Sequence, residues 1–440
     1  MIHRILLLLI ILIFQGLSQI PLPEYRKGDW HSAGFFRFLD KNISLDTIIN
    51  ILDLGVILND TDNGNSNSKL IQRAIVERDT SAVTMIYFPA GTYRVSAPIT
   101  IENTKNLILR GDGPDKTRLI FNFNGADKKK CIAIINSEII GIENLYIERA
   151  DSTDFGDNIT IRSKKCWISG VESNKAVSSH ITIFASENVE IRGCHIHHAW
   201  NYGVGGHGYG VVMGHGTKAC LVEDNIFNHL RHSVILSNGP SSNVIGYTFS
   251  TDPYTIETYL GISDWPSDLC LHGHPNKSLN GPDRNLFEGN ICAFMHADRA
   301  WYDNGPYNTY FRNRATYYGL RIQTPSDSQN ILGNEVDDSD GSLIDIGWNS
   351  FKIKSKHNFI VGNTNLDPTR EVYPSPGEYS SDLSLYFNPD SLPEFLKSLE
   401  FWPSIGVVDS LHRGGGTIPA KMRWDAKGIL TVPHPEYRLH

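Results

Sequence analysis

The stretch RNLFEGN (284–290), with its echoes NTYFRN (308–313), QNILGN (329–334) and HNFIVGN (357–363), decides how this chain is read. Each copy is a short apolar run near alternating positions that ends in a corner carrying Gly, Asn or both. The closing residues Asn290, Asn313, Asn334 and Asn363 fall 23, 21 and 29 residues apart. Upstream, NVEIRGC (188–194) and ACLVEDN (219–225) have the same form. A period of roughly 20–30 residues built from short alternating strands and Gly/Asn corners is the signature of a solenoid. No 3.6-residue pattern lies between the strands, which excludes leucine-rich and helical repeats, whereas a parallel β-helix needs only three short strands per coil. Asn at a fixed corner is expected to supply left-handed backbone angles. A β-sandwich is the competing all-β arrangement, and it has no reason to repeat at this period.

The rest of the sequence suits that class. Of 440 residues, 40% are hydrophobic and 20% charged, so a substantial core is affordable and disorder as the main state is excluded. Lys+Arg 40 against Asp+Glu 48 gives a net charge of -8, with no basic surplus to neutralise a phosphate backbone; nucleic acid is not an expected partner. Residues 1–19, MIHRILLLLIILIFQGLSQ, have the three-part form of a signal peptide: His3-Arg4, an apolar run from Ile5 to Phe14, then Gly16-Leu17-Ser18. That run is about half the roughly 20 residues a membrane span needs. A secreted or periplasmic location without a membrane partner is therefore expected. Cys131, Cys166, Cys194, Cys220, Cys270 and Cys292 are too few for a disulfide scaffold and contain no CxxC pair. Cys194 and Cys220 are either bonded between neighbouring coils or stacked as free thiols.

Four segments are expected: the signal peptide (1–19), an N-terminal segment with a capping helix and first strands (20–100), the β-helix proper (101–370) and a C-terminal cap or wrap (371–440). The helix reads from KLIQRAIVER (69–78), which puts Leu70, Ile71, Ala74 and Ile75 on one face, preceded by Asn and Ser as caps. Such a helix covers the open end of a solenoid's apolar core. After residue 370 the repeat is lost and Pro and aromatics take over.

A family resemblance follows from three stretches near the start: INILDLGVILNDTDNGNSNSKLIQRAI (49–75), IYFPAGTYRVSAPITI (86–101) and LILRGDGPDKTRLI (107–120). Together they resemble the opening of pectate-lyase-superfamily proteins: a strand and Gly, an Asp/Asn-rich turn, a capping helix, a Phe-Pro-x-Gly-x-Tyr strand and an Arg-Gly-x-Gly corner. The resemblance implies a right-handed parallel β-helix and a carbohydrate-active role. It leaves the reaction open, because lyases, hydrolases and non-catalytic proteins share the fold. The usual Gly-Asp-Gly-x-x-Asp-Asp turn is replaced here by the longer run Leu58 to Gly64.

Candidate chemistry concentrates between residues 195 and 314, which hold ten of the 17 histidines. Aligned without gaps, GVVMGHG (210–216), SVILSNG (233–239), SDLCLHG (267–273) and RAWYDNG (299–305) predict a column of His215, Asn238, His272 and Asn304 along one groove. A second column would hold Tyr209, His232, Pro266 and Asp298, with Asp303, Arg299, Trp301 and His274 beside it. His195, His197 and His198 look like a metal cluster, but strand alternation puts only His195 and His197 on one side. With no third ligand at a recognised spacing, a metal is not expected. An essential calcium ion is likewise disfavoured by the lack of a carboxylate cluster, and no cofactor is expected.

Such a groove suits a polysaccharide, whose polar rim and flat sugar faces match His, Tyr, Asp, Arg and Trp. Elimination next to a uronic acid needs a base (His232 or His272), a group to neutralise the carboxylate (Asn238, Asn304 or Arg299) and an acid (Tyr209). That lyase chemistry is preferred. Hydrolysis through paired carboxylates would draw on Asp268, Asp298 and Asp303, and a non-catalytic carbohydrate-binding β-helix is the third alternative. With an ordinary imidazole as base, activity would rise with pH through about 6.5.

Overall fold

The structure is a computed structural model that describes residues 18–35, 43–60, 64–256, 258–259, 262–263, 267–273, 281–298, 304–323, 326–337, 344–346, 359–365, 378–407 and 416–437. Successive strands pair in parallel with the strand one coil on, from Thr47–Asn50 to Thr364–Asn365, which makes the chain an all-β parallel β-helix. One coil shows the plan: Leu221–Glu223, Ile226–Asn228 and His232–Ser237 lie on a first, second and third face.

Alternation aims one set of side chains inward, and the parallel register stacks them. On the first face Ile168, Ile191, Val222, Ile245, Phe287, Tyr310 and Ile331 form one fully buried column. Within it the Phe287 and Tyr310 rings stack at 5.1 Å. On the third face Ile183, Met213, Leu236, Leu271, Ala297 and Ile322 do the same. Each large apolar side chain buried this way contributes roughly 1.5–3 kcal/mol. The helix α1 (Asn65–Glu77) closes one end, burying Ile71, Ala74 and Ile75 in this core. Its Asn and Ser are not caps: Gly64 is the N-cap, and Asn67 and Ser68 lie buried in the first turn, where Asn67 bonds the Ile57 and Arg94 carbonyls.

The corners differ in one respect from expectation. The left-handed residue is the one before each Asn: Asp224, Gly289, Arg312, Gly333 and Gly362, with φ between 49 and 70°. The Asn itself builds a side-chain ladder. Asn290 donates to Asn313, Asn313 to Asn334 and Asn334 to Asn363, at 2.8, 3.0 and 2.9 Å. A second ladder runs through Asn243, Asn285 and Asn308. A buried amide spaced one coil from its neighbour satisfies both its donor and its acceptor, which only Asn or a near relative can do at this position. All six cysteines are buried free thiols.

Two terminal segments strap the outside. Residues 22–35 bond successively to Asp382, Asn330, Arg284, Ala219 and Glu190, crossing the first face. The C-terminal residues return along it, from Val407 on Gly333 to Tyr386 on Glu223 and His434 on Asn144. Under these straps lies a second apolar cluster that includes Trp30, Leu221, Val244, Leu286 and Tyr386. No helix among the described residues is long and apolar enough to cross a membrane. The third face carries no such strap among the described residues, and the predicted histidines lie there.

Candidate active site

Parallel pairing of Tyr209–Met213 with His232–Ser237 sets Tyr209 opposite His232, with ring centroids 5.0 Å apart. The next strand, Leu269–His272, pairs with Ser237 opposite His272, and the one after it with Asp298 opposite His272. His232 and His272 meet edge to face at 5.9 Å, and His272 Nε2 lies 2.8 Å from an Asp298 carboxylate oxygen. Tyr209, His232, His272 and Asp298 therefore converge.

The gapless ladder does not form. It would set Asp268 opposite Val234, an inward position; the observed strand is shifted by one residue so that Leu269 and Leu271 fill the core. A one-residue slip exchanges the faces, and a carboxylate is the wrong group to bury there. Asp268 turns instead into a polar corner, where it accepts from Ser233, Ser250 and the backbone N–H groups of Ala293 and Phe294. The fourth strand is Ile291–Asp298 rather than 299–305. It starts on the second face and reaches the third through a register shift between Cys292 and Phe294. That corner has no turn residue to announce it. Asn304 thus falls outside the column and braces it from behind, its amide donating to the Asp298 carbonyl and to Ser326. His215 is exposed in a turn, where its carbonyl accepts from Ala185. Asn238 occupies a left-handed turn position. Asp298 pairs with His272 and not in the column of Tyr209 and His232. His274, Arg299, Trp301, Asp303 and Pro266 lie outside the described residues.

The two imidazoles are electrostatically opposite. His232 Nδ1 sits 2.9 Å from both the carbonyl and the hydroxyl of Ser267. A carbonyl only accepts, so Nδ1 carries the proton and Nε2 the lone pair. No hydrogen bond to Nε2 is formed among the described residues. Burial, with Arg231 and His272 adding positive charge, holds His232 well below the ordinary imidazole range. Burial also opposes charge on His272, but Cys270 and the Asp298 carboxylate beside it raise that group well above its usual value. The result is a neutral imidazole next to an imidazolium.

Arg231 was not singled out from the sequence. It donates to the Tyr209 hydroxyl at 3.1 Å and lies 5.8 Å from that ring's centre. Its adjacency to His232 carried no signal, because a lone Arg after a turn is ordinary. Cys270 was legible, since Leu-Cys-Leu-His places Cys270 and His272 on one face. One coil on, His296 and Arg321 extend the column that begins at Cys270.

Among the described residues two groups carry metal-ligand chemistry: Cys270, His272 and Asp298 in this groove, and Glu172, His195 and His197 on the second face. In the second group burial, with His197 and His198 nearby, pushes His195 down to about 2, so its imidazole is neutral. His229, paired with Asp252 at 2.7 Å, and the rings of Tyr202 and Tyr254 lie against this second group's neighbour His198 or one another.

The family model described as "Rhamnogalacturonase A/epimerase, pectate lyase-like" matches residues 48–267. Among solved structures, the chain is similar to ORF18 of Geobacillus virus E2, at 16% identity and a TM-score of 0.52, over 72% of this chain and 62% of that one. It thus spans less than two thirds of the virus protein. An alginate lyase from Paenibacillus sp. str. FPU-7 aligns at 12% identity and a TM-score of 0.46, covering 68% of this chain and 97% of that one. The catalytic domain of a GH87 alpha-1,3-glucanase in complex with nigerose aligns at 14% and 0.42, covering 72% and 67%. At such identities the likeness is one of fold. No curated protein sequence matches the chain.

Proposed function

Since the match over residues 48–267 takes in half of its length, the chain belongs to the rhamnogalacturonase A/epimerase, pectate lyase-like family, and we propose that it is an exported polysaccharide lyase acting on a uronic-acid-containing glycan. The observation that carries this is the neutral, oriented His232 beside Tyr209 and two cations. β-Elimination removes the proton on the carbon next to the sugar carboxylate and expels the glycosidic oxygen, which needs a base, a neutralising charge and an acid. His232 Nε2 is the base: its tautomer is fixed by Ser267 and its neutrality by burial. Arg231 neutralises the substrate carboxylate, with the His272–Asp298 pair beside it, a role that takes the place of Asn304, whose amide is already engaged by Asp298 and Ser326. Tyr209 accepts a hydrogen bond from Arg231, which leaves its own proton to give to the leaving oxygen.

Hydrolysis is less well supported. Both oxygens of Asp268 are bonded inside the corner, and Asp298 is engaged by His272, so the described carboxylates do not form an open pair. Export rests on the leader-like residues 1–19. The test is incubation with a panel of uronic-acid and neutral polysaccharides, reading unsaturated-product absorbance and reducing ends together. Both signals on a uronic-acid polymer support elimination. Reducing ends alone assign a hydrolase, and no signal on any polymer assigns a binding protein.

A further inference from the structure

We propose that Glu172, His195 and His197 form a binding site for a divalent transition metal of the zinc class, on the second face of the solenoid and separate from the His232 groove. The site is built by register. His195 and His197 are two apart on one strand and so project to the same side, while the parallel pairing places Glu172 of the preceding coil opposite His195. This carboxylate is the third ligand that no spacing within the strand reveals. The two rings stack at 4.1 Å, His197 Nε2 lies 3.1 Å from Glu172 Oε1, and one ligand atom from each of the three falls within 4.8 Å of the others.

The second observation is an orphan. His195 is only 8% exposed, and its Nε2 has no hydrogen-bond partner. A buried polar atom left unbonded is destabilising and calls for a partner, and an ion held by this nitrogen would supply one. Two imidazole nitrogens and one carboxylate oxygen are the donor set of zinc-type ions, not of calcium or magnesium, which favour all-oxygen cages. The surroundings also fit. Glu172 and His197 keep 28% and 13% side-chain exposure, which leaves a fourth position open to water or to a ligand. His197 Nδ1 is 2.9 Å from His198 Nδ1, which orients its ring. Trp424, from the helix α2 (Pro419–Ala426), packs over His195 at 6.5 Å, so the ion would sit where the C-terminal strap meets the coils.

The groove trio of Cys270, His272 and Asp298 is the competing location, and its sulfur makes the two distinguishable. Full-length protein stripped with a chelator is titrated with Zn2+ by calorimetry and with Co2+ by absorption. Expected is uptake of one equivalent with visible cobalt bands and no near-ultraviolet thiolate charge-transfer band. Affinity should fall at least about ten-fold in both His195→Ala and Glu172→Gln. The second variant removes a partly exposed ligand, which keeps the test valid if His195→Ala fails to fold. Unchanged zinc affinity in folded Glu172→Gln overturns the proposal, as does a thiolate band that persists in either variant, or no uptake by the wild type at about 100 μM metal, well above the affinities of protein zinc sites.

Discussion

The first and third faces of this solenoid both carry a column of charged residues, yet the chain treats them in opposite ways. On the first face the register stacks Arg110, Glu143, Ser169, Arg192, Glu223, Gly246 and Glu288. The terminal straps complete that column. Glu143 accepts from Arg110, Trp167 and Tyr437, Glu223 from Tyr386, and Glu288 from Ser384 and the Leu385 N–H. On the third face Tyr209, His232, His272 and Asp298 meet without a strap above them among the described residues, and His232 keeps a lone pair with nothing bonded to it. Polar groups that the protein satisfies with its own chain are structural; a lone pair it holds in place without a bond, as on His232, is available for chemistry. Substitutions should separate the two.

The largest effect is expected on the covered side. Glu143 is fully buried between Arg110 and Trp167. Glu143→Ala removes the buried carboxylate that Arg110, Trp167 and Tyr437 share and leaves the Arg110 guanidinium only the exposed Glu436 carboxylate and the His434 and Pro435 carbonyls, which destabilises by about 3–5 kcal/mol. The denaturant midpoint should drop accordingly, and a midpoint equal to wild type would erase the distinction between the faces. Next in size is His232→Ala, with a turnover loss of about 100-fold or more, equivalent to about 2.7 kcal/mol, and an unchanged unfolding midpoint. Full activity in that variant rejects the base assignment, and a lost midpoint would move His232 into the structural class. Asn313→Ala follows. It removes bonds to Asn290 and Asn334 inside the corner ladder and should lower stability by about 1–3 kcal/mol without touching activity. Equal stability in Asn313→Ala would mean water substitutes for the amide.

The fold was legible because its signal is local and repeated: each coil writes the same corner, and the ladder needs Asn at one place in each. The helix face at Leu70, Ile71, Ala74 and Ile75 was readable for the same reason. The site was legible only in part. Tyr209 and His232 were placed together by counting along two equal coils. His272 then slipped by one, because Asp268 cannot occupy the core position that a gapless count gives it. The strand Ile291–Asp298 was missed because it rounds a corner without a turn residue. Glu172 and the straps were out of reach for a different reason. Their partners are set by stacking between coils or by contacts hundreds of residues distant, such as Arg26 with Asn330, and no period links them.

The smallest effect is also the most diagnostic, because it reads the electrostatics of the open face directly. An ordinary histidine base would give an acid limb near pH 6.5. His232 is held well below that by burial first, then by Arg231 and His272, so wild-type activity should persist below pH 6.5 and fall only when this lowered group takes a proton. Arg231→Ala removes one of the cations that disfavour protonation. The imidazole then binds a proton more readily, and the acid limb of kcat/KM should move to higher pH. It should stop short of the ordinary value, since burial, the largest cause, stays in place. Arg231→Lys keeps the charge and loses the guanidinium nitrogen that donates to Tyr209, so its limb should stay at the wild-type position while kcat falls. An acid limb that does not move in Arg231→Ala would mean that another group titrates in the wild-type profile, and His232 would lose its place as the base even if its removal abolished activity.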